Sequence, residues 1–324
     1  MAGLRRRYAT TDVFTDRMFG GNPLAVVLDA GGLSSGQMQS MALEFNYSET
    51  TFVLPPDDPA HTAKVRIFTP RIEVPFAGHP NVGTAFVVAR ESRFAAAAAS
   101  GRFVFEEAAG LVPLTLLHEN GVIVGAELRA PQALSRKSKV SREIAAACLS
   151  LDPSDIATQA HPPQVISVGL PFLAVELGSR DALRRSKPDI AAHAALLPLD
   201  GADALFAYWR APDESRASVL HARTFAPLDG VIEDPATGSA CAAAITLLAT
   251  LESGHPISDS GAVDPAGAVG AAGARCERAW CIHQGVDLGR PSLLLGRTTF
   301  REGAVIDTFI VGRCVPVLEG SFWL

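Results

Sequence analysis

Along this chain of 324 residues the apolar positions switch repeatedly between strand-like alternation and helical spacing. Residues 8–14 and 23–29 read as two strands around Phe19-Gly20-Gly21-Asn22-Pro23, a loop of turn-forming residues. Ser34 or Ser35 can cap a helix running through Met38, Met41, Ala42 and Phe45. Asn46-Tyr47-Ser48-Glu49-Thr50 ends it and leads into the strand Thr51-Phe52-Val53-Leu54. Pro55-Pro56-Asp57-Asp58-Pro59 then connects to the strand Lys64-Val65-Arg66-Ile67-Phe68, a helix is expected over 80–89, and residues 103–130 alternate as further strands. A second series follows: a helix over 140–149 capped by Ser141, strands over 164–169 and 172–177, short helices over 179–185 and 188–195, and strands over 204–209 and 218–225. An apolar helix reaching about residue 251 comes next, and strand-like segments around Cys281, Leu293 and Val311 close the chain. The alanine run 95–99 and the Gly/Ala/Pro/Ser-rich segment 254–275 read as insertions, the latter as a mobile loop.

One motif occurs twice within this pattern. Arg66-Ile67-Phe68-Thr69-Pro70 precedes Pro80-Asn81-Val82-Gly83-Thr84-Ala85, and Arg223-Thr224-Phe225-Ala226-Pro227 precedes Pro235-Ala236-Thr237-Gly238-Ser239-Ala240. Each copy is a strand, a short loop and the start of an alanine-rich apolar helix. Helix N-termini attract anions, so a duplicated strand–loop–helix unit brings two such ends into play for a small anionic ligand held between the halves. The strand content and hairpin signals indicate an α+β architecture with mixed sheets. A boundary near residue 130 divides it into domains over 1–130 and 131–311, and the last strand, 312–324, is able to return to the first domain.

Composition narrows the function. With 48% hydrophobic and 19% charged residues both halves can bury a core. A net charge of −6, and no basic run beyond Arg5-Arg6-Arg7, argue against a nucleic-acid partner. No stretch approaches the roughly 18 apolar residues of a membrane span, and Tyr8, Thr10, Thr11, Asp12 and Asp16 interrupt any secretory leader. The five cysteines are scattered, and Cys276 and Cys281 lack Cys-x-x-Cys spacing. A reduced, cytoplasmic protein without a membrane partner or structural metal is expected. Neither loop carries a phosphate-loop or dinucleotide fingerprint, so no nucleotide cofactor is expected either.

Three polar residues in the loops suit proton chemistry, and each has a plainer alternative. Glu49 stands between a helix end and a strand, where an apolar neighbour such as Phe52 can raise a carboxyl's pKa for acid–base work; it can equally be a surface carboxylate. His79, between Gly78 and Pro80, sits at a helix start that disfavours imidazolium, or serves only as a cap. Asp234 precedes Pro235 and occupies the N-cap position of a helix beginning there, which by itself explains it, while Glu233 reads as a solvated neighbour. Gly78, Gly83, Gly238 and Ser239 can present backbone N–H groups to an anion, or simply permit tight packing.

Taken in order, these segments resemble the PhzF family of phenazine-biosynthesis isomerase-like proteins. The matching pieces are Asp12-Val13-Phe14-Thr15, Gly21-Asn22-Pro23-Leu24-Ala25-Val26, Asn46-Tyr47-Ser48-Glu49-Thr50-Thr51-Phe52-Val53 and Arg66-Ile67-Phe68-Thr69-Pro70. They continue with Pro75-Phe76-Ala77-Gly78-His79-Pro80, Glu233-Asp234-Pro235-Ala236-Thr237-Gly238-Ser239-Ala240, Gln284-Gly285 and Gly289-Arg290-Pro291-Ser292. Tyr47 stands where the family usually has leucine. The resemblance implies a diaminopimelate-epimerase-like fold of two similar domains, each a curved mixed sheet around a central helix, with the active site in the cleft between them. It implies no cofactor and commonly a homodimer. It also implies that Glu49 moves a proton between carbons with help from His79 and Asp234, and that Asn22, Gly78, Gly238 and Ser239 hold the substrate. Racemisation by two thiols, found in the wider superfamily, lacks both nucleophile positions here, because Ala77 and Thr237 stand where its cysteines would precede Gly78 and Gly238.

The expected function is therefore a cofactor-independent isomerase acting on a small cyclic or unsaturated carboxylate. The alternatives are a non-catalytic small-molecule-binding or regulatory protein on the same fold, and an epimerase that works without thiols.

Overall fold

The computed structural model describes residues 5–212, 218–253 and 276–323. The segment 254–275 lies outside the described residues. The chain forms two compact units, the first made of the chain up to Leu128 with Gly289–Ser292 and the chain from Val311, the second of Arg129–Leu288 with Leu293–Ile310.

In the first unit β1 (Arg5–Val13) pairs antiparallel with β2 (Asn22–Val27) across the glycine-rich loop. Gly21 there has φ +63°, and a Cβ would stand 2.2 Å from the Val13 carbonyl oxygen, so only glycine makes this turn. The helix α1 (Ser35–Phe45) buries Met38, Met41 and Ala42; Ser34 and Gln37 form a capping box at its start, and Asn46, at φ 52°, ends it in the left-handed conformation. β3 (Glu49–Leu54) returns parallel to β2 and pairs antiparallel with β4 (Ala63–Phe68), which is extended by the two-residue β5 (Glu73–Val74). Next come α2 (Gly78–Val88), the short α3 (Ala95–Ala99) formed by the alanine run, and the meander β6 (Arg102–Glu107), β7 (Gly110–Glu119) and β8 (Val122–Arg129).

The second unit opens with β9 (Ser135–Lys139), α4 (Arg142–Cys148), β10 (Gln164–Ser167), β11 (Pro171–Glu176), α5 (Arg180–Arg185), α6 (Ile190–Leu196) and β12 (Leu205–Arg210). It continues with β13 (Ser218–Ala226), β14 (Val231–Asp234), α7 (Gly238–Glu252), β15 (Cys276–Gln284) and β16 (Ser292–Arg301). Its sheet runs β9–β10–β11–β12–β13–β15, with parallel pairs at β11–β12 and β13–β15. Side chains cap α4, α5 and α6 at Ser141, Ser179 and Asp189, and these helices cover a core of Val165, Leu173, Val175, Leu205 and Phe225.

The final strand, β17 (Ala304–Trp323), passes from the second unit into the first, where it pairs with both β1 and β8. With β4 parallel to β6, the first unit's strands close as β1–β2–β3–β4–β6–β7–β8–β17, an eight-stranded ring without free edges. All residues of α2 are buried, and it packs on β1, β2, β3 and β7. A helix buried on every side has no solvent face, which is why its sequence lacks the amphipathic stripe of α1. Thr84 ties it to β3 through a 2.8 Å hydroxyl pair with Thr51. In the second unit α7 is likewise buried along most of its length and packs on β10, β11 and β15.

Candidate active site

In the first unit β2, β3 and α2 each start with, or near, a candidate residue. Asn22 is the first residue of β2, Glu49 the first of β3, and Gly78 and His79 the first two of α2. The parallel register sets Leu24 opposite Glu49, so Asn22 and Glu49 lie at the same end of neighbouring strands. His79 Nε2 stands 3.5 Å from Glu49 Oε2, with side-chain exposures of 5% and 20%. Asn22 Nδ2 donates to His79 Nδ1 at 3.3 Å, and Ser48 Oγ donates to Asn22 Oδ1 at 3.0 Å. An amide nitrogen only donates, so Nδ1 accepts and the ring's proton resides on Nε2, facing Glu49. Burial lowers the His79 pKa to about 3 and keeps the ring neutral. The neutrality expected from the helix end is present, but loss of solvent is its cause. His79 does not cap α2 either: the N-cap is Ala77, and no side chain caps that end.

Arg290, from the Gly289-Arg290-Pro291-Ser292 motif, fixes the loop before Asn22. Its guanidinium donates to Gly21 O at 2.9 Å, Gly20 O at 2.8 Å and Asp12 Oδ1 at 2.6 Å, while Gly21 N donates to Pro291 O at 3.1 Å. Asp12 also accepts from Phe19 N at 2.6 Å. The motif was legible in sequence, but its positioning role depends on a contact across 278 residues of chain.

The second unit places its candidates differently from expectation. Asp234 is not an N-cap: it ends β14, opposite Thr224, and α7 begins only at Gly238 with Thr237 as an N-cap that makes no side-chain capping bond. Sheet pairing holds Asp234 extended, so the chain turns into the helix later than Pro235 suggests. Asp234 Oδ2 accepts from Thr237 Oγ1 at 2.5 Å. Gln284, fully buried at the end of β15, organises the turn and had no role assigned from sequence. Its Nε2 lies 2.9 Å from Asp234 O and 3.1 Å from both Thr237 Oγ1 and Thr224 Oγ1, and its Oε1 accepts from Thr237 N at 3.1 Å. Gly238 is buried and Ser239 half-buried as the first two residues of α7. Glu233 is not a solvated neighbour: its carboxylate clasps Arg223 at 2.6 and 2.9 Å, with side-chain exposures of 7% and 11%. Gly83 lies mid-helix against Leu24 and Val13, which makes it a packing residue.

Cys241 lies within α7, and burial raises its thiol far above the usual range, so no thiolate is available there. A cavity of about 500 Å³ in the second unit is lined by Arg210, Arg278, Glu176 and Glu252. Those charges sum to zero and pair with one another, and the cavity lies at the C-terminal end of α7, away from Asp234. Among the described residues no group of three His, Cys, Asp or Glu forms a metal site, and no helix is long and apolar enough to cross a membrane.

The chain is similar over 98% of its length to an uncharacterised isomerase of Mesorhizobium japonicum, at 34% identity and covering 99% of that protein. It is 32% identical to the trans-2,3-dihydro-3-hydroxyanthranilate isomerase of Pseudomonas aeruginosa, covering 98% of this chain and 99% of that one. A Bacillus anthracis phenazine biosynthesis protein of the PhzF family shares its fold at a TM-score of 0.77 and 23% identity, over 99% of this chain and all of the other. These likenesses define an isomerase of mixed α/β fold. The chain belongs to the PhzC–PhzF family of phenazine biosynthesis-like proteins, whose pattern it matches over residues 11–320.

Proposed function

We propose that this isomerase works without a cofactor, Glu49 carrying a proton from one carbon of a small cyclic or unsaturated carboxylate to another. The observation that carries the reading is the Ser48–Asn22–His79–Glu49 series, a carboxylate beside a neutral, oriented imidazole at one end of two parallel strands. A cationic imidazole would stabilise the carboxylate and weaken it as a base; the neutral ring orients Glu49 without that loss. Glu49 removes a proton from carbon, the electron pair passes into the conjugated system, and the Glu49 carboxyl, whose proton exchanges with water while it is held, delivers a proton to a second carbon. No net proton is gained or lost.

The uncapped starts of α2 and α7 suit the substrate carboxylate and the charge that builds on deprotonation. In this reading Gly78, Gly238 and Ser239 bind through backbone N–H groups, and Asp234, aligned by Thr237 and Gln284, assists proton movement in the second half. The substrate in the name of the Pseudomonas aeruginosa relative is the first candidate.

The test follows solvent deuterium entering that dihydro-hydroxyanthranilate and other small cyclic carboxylates, with wild type and Glu49→Gln. Label entering with wild type, and at least a thousandfold more slowly with the variant while ligands still bind, is the expected outcome. Equal loss of binding and exchange would remove the proton-transfer role from Glu49. Ligand-induced stabilisation without any exchange would make the protein a binder.

A further inference from the structure

Beside the start of α2 lies a second carboxyl with no place in the mechanism above. Glu107 ends β6, and both its carboxyl oxygens are buried without a hydrogen-bond partner. The side chain of Asn81, itself wholly buried, is the polar group beside it. Asn81 Nδ2 donates to the Ala77 carbonyl at 3.0 Å, and its Oδ1 is also buried without a partner. Ala77 is the N-cap of α2, one residue before Gly78 and two before His79. The turn that follows Glu107 grips the same loop one step earlier, since Ala109 N donates to Pro75 O at 3.1 Å. Three buried acceptor atoms on Glu107 and Asn81 thus lack a close hydrogen-bond partner where the loop enters α2, and the one donor beside the carboxyl is the Asn81 amide, already engaged by Ala77 O. Unsatisfied buried acceptors are costly, and a proton on Glu107 turns one of them into a donor for the partnerless Asn81 Oδ1.

Charges nearby are committed elsewhere. On β6 Glu106 accepts from the backbone of Asp57 and Asp58 and from His61. On β4 Lys64 pairs with Asp57 and Arg66 with Glu73, and on β7 Glu119 pairs with Arg313. Arg102 on β6 and His118 on β7 are the remaining charged or titratable side chains of these strands. Burial, opposed only by Asn81, holds the Glu107 carboxyl up at about 8.

We propose that Glu107 is a positioning residue for His79: as the acid it donates to the Asn81 carbonyl oxygen, locking the amide that holds Ala77 and with it the first turn of α2. The proposal deepens the isomerase reading and rests on it for its kinetic consequence. Ionised Glu107 would lose the donated bond and set a carboxylate beside the Asn81 oxygen. It would also place negative charge by the helix end that the substrate carboxylate needs.

The test compares wild type, Glu107→Ala, Glu107→Gln and Asn81→Leu, with deuterium exchange into the dihydro-hydroxyanthranilate and with the ring signals of His79 in histidine-labelled protein. Glu107→Ala and Asn81→Leu should shift the His79 signals and lower kcat about tenfold with a smaller change in KM. Glu107→Gln, whose amide can still donate, should rescue both. The proposal also expects the wild-type rate to fall above pH 8, and Glu107→Gln should abolish that fall. Unchanged His79 signals in both disruptive variants, or a Gln variant as damaged as Ala, would overturn the proposal. If wild type exchanges no label, the isomerase reading fails while the His79 signals still decide the positioning role.

Discussion

His79 and Glu107 are both buried, yet they bend the stability profile in opposite directions. The folded pKa of His79, about 3, lies below the ordinary 6.5, so the unfolded chain takes up the proton first as the solution is acidified. Stability from this group is present above 6.5 and is lost as pH falls toward 3. Wild type should therefore lose about 2 kcal/mol between pH 7 and pH 5 that His79→Gln does not lose, read from urea unfolding at the two pH values; parallel losses in both proteins would show that the ring is already solvated. Glu107 acts the other way: its folded value of about 8 exceeds 4.5, so its burial costs more as pH rises from 4.5 to 8. Sequence exposed His79 and Glu49 because both interrupt apolar runs at element junctions. It did not expose Glu107, and it marked Gln284 only as part of a matching segment without a role, because both sit at ordinary strand ends.

At the scale of elements the repeated motif keeps its internal logic. In each copy the arginine stacks on the phenylalanine two residues on, Arg66 over Phe68 at 5.1 Å and Arg223 over Phe225 at 5.0 Å, and each pairs with a glutamate on the next short strand. Residues two apart share a strand face, so the Arg-x-Phe spacing alone predicts the stacking. Burial then separates the copies. Arg223 also donates to the Ser186 carbonyl, whereas the Arg66 pair is partly solvated, so the first contributes through desolvated contacts and the second little. The helices differ in the same way: α1 declares itself by its stripe and cap, while α2 depends on the ring around it. A Cβ at Gly83 would stand 2.6 Å from Leu24 Cδ2 and 2.7 Å from Val13 Cγ2. Gly83→Ala should thus destabilise by about 1–2 kcal/mol, although alanine is the better helix former by about 1 kcal/mol. A raised urea midpoint would show instead that Leu24 and Val13 step aside.

At the scale of the whole molecule, the first unit is completed by the far end of the chain. β17 pairs with β1 from Arg5↔Trp323 to Val13↔Cys314 and closes the ring against β8. Ending the chain at residue 310 should open that ring, so that amides of β1 and β2 exchange as in an unfolded chain. Retained protection there would mean that the remaining seven strands suffice.

The duplicated strand–loop–helix unit, the α+β class, and the placement of Glu49 and His79 at element junctions were all determined by sequence, because periodicity, turn residues and caps act within a few residues. Tertiary structure alone decided the closure of the ring by β17, the reach of Arg290 to Asp12, the service of Gln284 to Asp234, the late start of α7 and the neutrality of His79 through burial. Each of these depends on sheet pairing or solvent exclusion between segments far apart in the chain, and no local pattern records which distant strand will remove the water.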